Sequence, residues 1–248
     1  MKTIAIIIDF DNYFGSDVSK LSSEFLEFTF KQWIKLCEQE FTGFNSIQVR
    51  LYGGWYKEST FTKLASKIQQ LLSNVDVFPK VSDGRIVNGK IELATTLHIK
   101  PDFVWLHTHK ETSGVKRIRI NHECIDTMCV QNKDTCPKYT LYKFTDGKGK
   151  KCHIPSCENI HKDVFKGAEQ KMVDTLIACD IISISQDRNM NGLILISDDQ
   201  DHLPSLALAS ETKTTNLQSI ILGIRNEQTI DFISSFMSPF NIKTTLLS

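Results

Sequence analysis

Four aspartates spread along the chain have the residue type and the placement needed to hold a divalent cation. Asp9 ends the apolar run IAIIID, and Asp199 and Asp201 follow the apolar run LILIS. Asp174 lies in a segment with helical periodicity. Short apolar runs are typical of buried parallel strands, whose carboxyl ends meet at one edge of a sheet. Carboxylates gathered at that edge would form a site for hard cations such as Mg²⁺ or Mn²⁺.

Each aspartate also has a simpler interpretation. Asp9 and Asp11 could form a turn before the first helix, with Asn12 bonding to its own backbone. Asp201 could cap a helix whose first turn contains Pro204. The crowding of Asp198, Asp199 and Asp201 is harder to explain in this way, because adjacent like charges repel unless a cation neutralises them. Taken together, the acidic clusters favour a metal site.

The segment from Glu169 to Ser185 has the apolar spacing of an amphipathic helix. Asp174 lies at the border of its apolar face, and Lys171 lies three residues earlier, where it could pair with Asp174 or contact a phosphate. Asp180 falls within the apolar face, where an unpaired carboxylate is costly. Asp180 therefore faces the metal site or bonds to nearby backbone, and the structural role is slightly favoured.

The remaining periodicities predict an α/β fold with a parallel sheet in three layers. Strand-like runs are Thr3–Ile8, Ile47–Leu51, Val75–Phe78, Leu193–Ser197 and Gln218–Gly223. Helical spacing is found over 21–40 and 61–72 in addition to 169–185.

Residues 101–165 interrupt this alternation and are predicted to be a β-rich insertion between the two parts of the core, 1–100 and 166–248. FVWLHTH, KRIRIN and KYTLYKF have β propensity. Five of the seven cysteines lie here, in two pairs with four-residue spacers that could hold a structural Zn²⁺. The predicted zinc ligands are Cys124, Cys129, Cys152 and Cys157, with Cys136, His122, His153 and His161 as alternates. Unligated cysteines are the competing interpretation.

Composition limits the class of protein. The 248 residues carry 29 basic and 29 acidic side chains, so overall charge provides no attraction for nucleic acid. Residues 110–171 contain 13 Lys/Arg against 8 Asp/Glu, which could hold phosphates, although a solvated lysine-rich surface is equally compatible. No apolar run approaches the ~18–20 residues of a membrane span. With an odd number of cysteines, we expect reduced thiols and a cytoplasmic location.

The three acidic motifs resemble those of the NYN domain, a branch of the PIN-like nucleases. The chain has IAIIIDFDN, KMVD and LILISDDQD where that family has a strand ending in D-x-x-N, then K-x-V-D, then a strand ending in S-G-D-S-D-F. RLYGGWY is similar to the family's second strand. The resemblance covers residues 1–80 and 165–248. It implies metal-binding acids at Asp9, Asp174, Asp199 and Asp201, with Asn12 positioning the first loop.

Two positions depart from the family pattern. Asp198 stands where the family has glycine, and it could strain the turn or add an acid to the site. His202 stands where the family has phenylalanine. His202 could assist proton transfer to a leaving group, although a surface histidine at a helix start is the simpler expectation.

The resemblance implies hydrolysis of RNA phosphodiesters with one or two Mg²⁺ or Mn²⁺ ions. Asp9, Asp174 and Asp199 would hold metal, and Asp201 would orient the attacking water. Trp55, Tyr56 and Lys57 are candidates for holding a single strand by stacking and phosphate contact. A protein partner or self-association is also compatible with the chain.

Two alternatives remain open. IIIDFDN is compatible with the D-x-D opening of haloacid-dehalogenase-type phosphatases, with Asp9 as nucleophile and Asp11 as general acid, and with Lys171 and Asp199 binding phosphate and metal. Asn12-Tyr13-Phe14 does not fit that family. The other alternative is a zinc-stabilised RNA-binding module without catalysis.

Overall fold

The computed structural model describes residues 2–82, 84–113, 122–145 and 166–247. The described residues fall into two compact units, one within 1–109 and 170–248 and the other within 110–169. Their strands are β1 (Thr3–Asp9), β2 (Ser46–Tyr52), β3 (Tyr56–Lys57), β4 (Thr60–Phe61), β5 (Lys80–Ser82), β6 (Arg85–Leu93), β7 (Thr96–Leu97), β8 (Lys100–Val104), β9 (His109–Ser113), β10 (Lys166–Gln170), β11 (Met190–Ile196), β12 (Ser219–Ile224) and β13 (Lys243–Leu246). Their α-helices are α1 (Phe10–Phe14), α2 (Ser23–Glu40), α3 (Lys63–Leu72), α4 (Thr127–Gln131), α5 (Pro137–Thr145), α6 (Val173–Ser185), α7 (Leu203–Thr212) and α8 (Ile230–Met237).

The larger unit is built on a seven-stranded sheet in the order β13-β12-β11-β1-β2-β6-β5. All neighbouring strands are parallel except β5 and β6, which are antiparallel. The chain first builds outward from β1 through β2 and β6, and later returns to place β11 on the other side of β1. The carboxyl ends of β1 and β11 therefore form a topological switch point, where α/β sheets open a crevice suited to a ligand.

Side chains of β1 point alternately to two hydrophobic cores, as strand geometry requires. Ile4, Ile6 and Ile8 pack in a core with buried residues of α2 and α3. Ala5 and Ile7 pack in a second core with buried residues of α6, α7 and α8. The sheet thus has helices on both faces, which confirms the predicted α/β class and is compatible with three layers.

Several predicted elements have different bounds. The third predicted helix begins at Val173 rather than Glu169, because residues 166–170 form β10. Residues 75–78 are not a strand. The segment is apolar because its side chains pack on the core that contains Ile4, Ile6 and Ile8, where Phe78 covers Gly89 of β6. Strand β6 was not predicted, since its alternation includes exposed polar residues and a glycine.

The prediction of a strand at KYTLYKF is wrong, because this sequence lies in helix α5. Pro137 occupies the first helical position, where its missing N–H costs nothing. Tyr139 and Tyr142 contact each other three residues apart, and the Lys143 ammonium lies 5.6 Å from the Tyr139 ring centroid. These i,i+3 and i,i+4 contacts stabilise a helix despite the β propensity of the residues. Of the other two predicted strands, FVWLHTH is strand only at its two ends, and KRIRIN lies outside the described residues.

Within the described ranges, no helix has both the length and the apolar character needed to cross a membrane.

Candidate metal centre

Asp9 is the innermost acid of the site. It ends β1 and caps α1, because its Oδ1 accepts a hydrogen bond from the Asn12 N–H at 3.3 Å. Its Oδ2 accepts from the Ser197 hydroxyl at 3.2 Å. The side chain is almost fully buried. These bonds fix both carboxylate oxygens at the carboxyl edge of the sheet.

Asp199 is brought to the same edge by the neighbouring strand. Ile8 of β1 is in register with Ile196 of β11, so the two strands end side by side at the same edge of the sheet. The Asp199 N–H donates to the Ser197 hydroxyl at 3.0 Å, and Ser197 thereby links Asp199 to Asp9. Asp199 also accepts from the Asp201 N–H at 2.9 Å, which begins a short 3₁₀ helix.

Asp174 comes from the first turn of α6, and His202 comes from the turn that leads into α7. Asp174 is exposed, whereas His202 is buried. The His202 Nε2 lies 3.4 Å from the Asp9 Oδ2. His202 is therefore not the surface histidine that its position at a helix start suggests.

Four ligand-type atoms, one each from Asp9, Asp174, Asp199 and His202, all lie within 4.8 Å of one another. Among the described residues, this is the one group of three or more such side chains placed to hold an ion. The three carboxylates would supply oxygen ligands that suit Mg²⁺ or Mn²⁺, and the imidazole would supply a nitrogen ligand that favours Mn²⁺, the transition metal of the two.

Several carboxylates lie close together in this cluster, and their negative charges affect the pKa of Asp174. Although the Asp174 side chain is exposed, partial desolvation of its carboxylate raises its pKa, and the nearby charges of Asp9, Asp199 and Asp201 raise it further against the opposing effect of His202. A cation at this position would relieve that repulsion.

Asp11 lies beside the cluster but outside the four-residue group. Burial and the charge of Asp9 raise its pKa to about 6, against smaller opposing effects of a Gly54 backbone hydrogen bond and of His109. Asp11 therefore lies near Gly54 and His109, and its carboxylate is not one of the four grouped ligands.

Asp201 is exposed, and its carboxylate is not one of the four grouped ligands. It lies close enough to raise the pKa of Asp174. Lys171 is half-buried, and its backbone N–H donates to the Thr108 carbonyl at 2.9 Å. Both residues thus lie near the site without belonging to its four-residue centre.

Asn12 and Asp198 join the loops around the site. The Asn12 Oδ1 accepts from the Asp198 N–H at 2.8 Å. The Asp198 Oδ1 accepts from the backbone N–H groups of Arg225 and Asn226, at 2.8 and 3.1 Å. The Asp198 carboxylate therefore ties the end of β11 to the segment that follows β12.

Asp180 belongs to a separate buried network. Its Oδ1 accepts from the His98 N–H at 2.8 Å, and its Oδ2 accepts from the Tyr52 hydroxyl and lies 3.2 Å from the Arg50 guanidinium. Arg50 also bonds to Glu92 at 2.8 Å. Asp180 is thus neutralised by Arg50, and these contacts account for its position in the apolar face of α6.

Of the three residues considered for holding a single strand, Trp55 is unsuited because it is fully buried. Its indole N–H donates to the Leu51 carbonyl at 2.8 Å, and its ring packs on Phe10. Tyr56 is half-buried against Phe61, and Lys57 is exposed.

The structure describes part of the predicted zinc site. Cys124 is exposed, whereas the thiols of Cys129 and Cys136 are hydrogen-bonded to each other. His122 opens a short 3₁₀ helix that ends at Cys124. The other predicted ligands, Cys152, Cys157, His153 and His161, lie outside the described residues.

Comparisons with protein-family models, with curated proteins and with solved structures found no match to this chain.

Proposed function

We propose that the protein is a metal-dependent nuclease that hydrolyses phosphodiester bonds of RNA. Its proposed substrate is single-stranded RNA. The observation that carries the proposal is the convergence of Asp9, Asp174, Asp199 and His202 at the switch point of a parallel sheet. Acids separated by up to 190 residues meet at the edge where α/β folds bind ligands. This edge is also open, because Asp174 and Asp201 are exposed.

Asp9, Asp174, Asp199 and His202 would hold Mg²⁺ or Mn²⁺. When bound, the ion supplies charge stabilisation for the transition state of phosphodiester hydrolysis. Asn12 and Ser197 fix the orientation of Asp9 through hydrogen bonds of 3.3 and 3.2 Å. Asp201, on the exposed rim, would orient the attacking water.

The same arrangement supports the proposal that the fold is PIN-like and related to the NYN domain. Three motifs that are distant in sequence occur in the family's order and place acids beside one another. Asn12 contacts the β11 loop, as a loop-positioning residue should. The departure at His202 adds a nitrogen ligand to the acids that the family pattern contains.

The phosphatase alternative has less support, because it requires Asp9 to attack phosphorus. Asp9 is almost fully buried, and both of its carboxylate oxygens accept hydrogen bonds. A nucleophile needs an oxygen that can approach the substrate. The alternative without catalysis gives no reason for the crowding of carboxylates at one edge.

A structural Zn²⁺ within residues 101–165 is a further part of the proposal. The neighbouring thiols of Cys129 and Cys136 support a ligand pair in which Cys136 replaces Cys124. We also propose that the protein acts in the cytoplasm, where reduced thiols persist, alone or with a protein partner.

Cleavage of labelled single strands tests the function. Wild type, Asp199→Asn and the control Asp231→Asn, which changes an exposed aspartate on α8, are incubated with single-stranded RNA and DNA in Mn²⁺, Mg²⁺ or EDTA. We expect cleavage by wild type and Asp231→Asn in either cation, none in EDTA, and at least about a hundredfold loss in Asp199→Asn. Equal cleavage by all three proteins, or release of phosphate from small monoesters without cleavage of polymer, would overturn the proposal.

A further inference from the structure

Arg225 is a cation held at the carboxyl edge of the sheet, beside the acidic centre. It follows β12, which is the parallel neighbour of β11. Ile196 is in register with Gly223, so Arg225 stands opposite Asp198, one residue before Asp199. Neighbouring strands are ~4.8 Å apart, which places the backbone of Arg225 beside that of Asp198, the residue before Asp199.

The position of Arg225 is fixed from both sides. Its backbone N–H donates to the Asp198 Oδ1 at 2.8 Å. Its guanidinium donates to the Tyr13 carbonyl and lies over the Tyr13 ring, with Cζ 4.8 Å from the ring centroid. Tyr13 belongs to α1, which Asp9 caps. Arg225 therefore bridges the segments that follow β12 and β1, on either side of the loop that carries Asp199.

A guanidinium that lies over an aromatic ring carries its N–H groups in the planar fork that matches a phosphate. Arg225 is exposed, so a ligand can reach it. Its positive charge would also offset the repulsion between the carboxylates of Asp9, Asp174 and Asp199 and a polyanionic nucleic acid.

The surface beside Tyr13 has room for a chain that continues beyond one phosphate. A groove of about 210 Å³ opens there, between α2 and the last strand. Phe28 and Lys35 are among its lining residues, and both side chains are exposed. Aromatic and basic side chains in one groove suit a single-stranded nucleic acid, because they stack on its bases and contact its phosphates.

We propose that Arg225, stacked on Tyr13 and positioned by Asp198, binds the phosphate next to the scissile bond of a single-stranded nucleic acid. This inference rests on the proposed nuclease function and assigns the backbone contact that aligns the polymer with the acidic centre.

Binding without cleavage provides the test. The affinity of the whole protein for a fluorescent single-stranded RNA is measured by anisotropy in EDTA over a range of salt concentrations. Arg225→Ala and Arg225→Lys are compared with wild type and with Arg188→Ala, a control that removes an exposed cation just before β11, at the opposite edge of the sheet. Thermal melting checks that each variant is folded, and Arg225→Lys serves if Arg225→Ala is not.

We expect Arg225→Ala to weaken RNA binding by roughly tenfold, Arg225→Lys to recover part of the affinity, and Arg188→Ala to match wild type. The slope of log affinity against log salt should fall by about 0.7 in Arg225→Ala, as for one lost phosphate contact to a single strand. In Mn²⁺, the KM of Arg225→Ala for RNA should rise more than its kcat falls.

If wild type binds RNA and the folded Arg225 variants bind it equally well with an unchanged salt slope, Arg225 only clamps Tyr13 and the inference is wrong, while the proposed function stands. If wild type neither binds nor cleaves a single strand, the proposed function fails and the inference fails with it.

Discussion

The His202 Nε2 lies 3.4 Å from the Asp9 Oδ2, although 193 residues separate them in the chain. This pair joins the end of the first strand to the turn before α7, and it brings an imidazole nitrogen to a group of carboxylate oxygens. The relationship matters for metal choice, because imidazole binds transition metals better than it binds Mg²⁺.

Replacing His202 by phenylalanine, which keeps a ring but removes the nitrogen atoms, should therefore change the metal preference. We expect the shift in melting temperature caused by Mn²⁺ to shrink markedly in His202→Phe, and the shift caused by Mg²⁺ to change less. His98→Phe is the matched control, since His98 pairs with Asp187 at 2.9 Å in a different part of the protein. Equal Mn²⁺ shifts in His202→Phe and wild type would contradict the assignment of His202 as a ligand.

Asp11 should make the metal-free protein less stable as the pH rises. Its pKa is raised from 3.8 to about 6, so the folded protein keeps a proton that the unfolded chain has already released. Stability is therefore lost between about pH 4 and pH 6 and stays lower above that range. In EDTA, Asp11→Asn should be more stable than wild type at pH 7 and equal to it near pH 4, as measured by urea denaturation. Parallel pH profiles for the two proteins would show that Asp11 is not responsible.

Asp180 should be required for folding rather than for metal. Asp180→Asn removes the fully buried one of the two carboxylates that pair with the Arg50 guanidinium and leaves only Glu92, which costs about 3 kcal/mol in the free energy of unfolding. Chemical denaturation measures this loss, and Asp199→Asn, at a partly exposed position, should lose far less. A stable Asp180→Asn protein that no longer bound Mn²⁺ would place Asp180 in the metal centre instead.

Trp55 should contribute to stability and not to RNA binding. Trp55→Phe removes the hydrogen bond to the Leu51 carbonyl and leaves a cavity, at a cost of about 1–3 kcal/mol. RNA affinity, measured by anisotropy in EDTA, should match that of wild type. A large loss of affinity in a protein of unchanged stability would restore Trp55 as a stacking residue.

The sequence predicted the main strands and the grouping of acids for one physical reason. Asp9 and Asp199 each follow an uninterrupted apolar run, and the carboxyl ends of parallel strands have only one edge to share. Periodicity put Asp174 only at the border of the apolar face of α6, and its assignment to the site came from the resemblance of KMVD to the NYN motif.

Other features depend on tertiary packing that periodicity does not express. Whether His202 points inward is decided by the 3₁₀ turn before α7. Trp55 follows two glycines and looks like a loop aromatic, yet its side chain folds back beneath β2. The carboxylate of Asp198 finds its partners on the loop after β12, which only the strand order brings near.

Direct titration of Mn²⁺ into the metal-free protein tests the central claim, because it does not depend on the identity of the substrate. Isothermal titration calorimetry of wild type, Asp9→Asn, Asp199→Asn and the control Asp231→Asn measures binding at the proposed centre. We predict saturable Mn²⁺ binding to wild type and Asp231→Asn, and at least a tenfold weaker affinity in Asp9→Asn and Asp199→Asn. Folded Asp9→Asn and Asp199→Asn proteins that bind Mn²⁺ as wild type does would contradict the account.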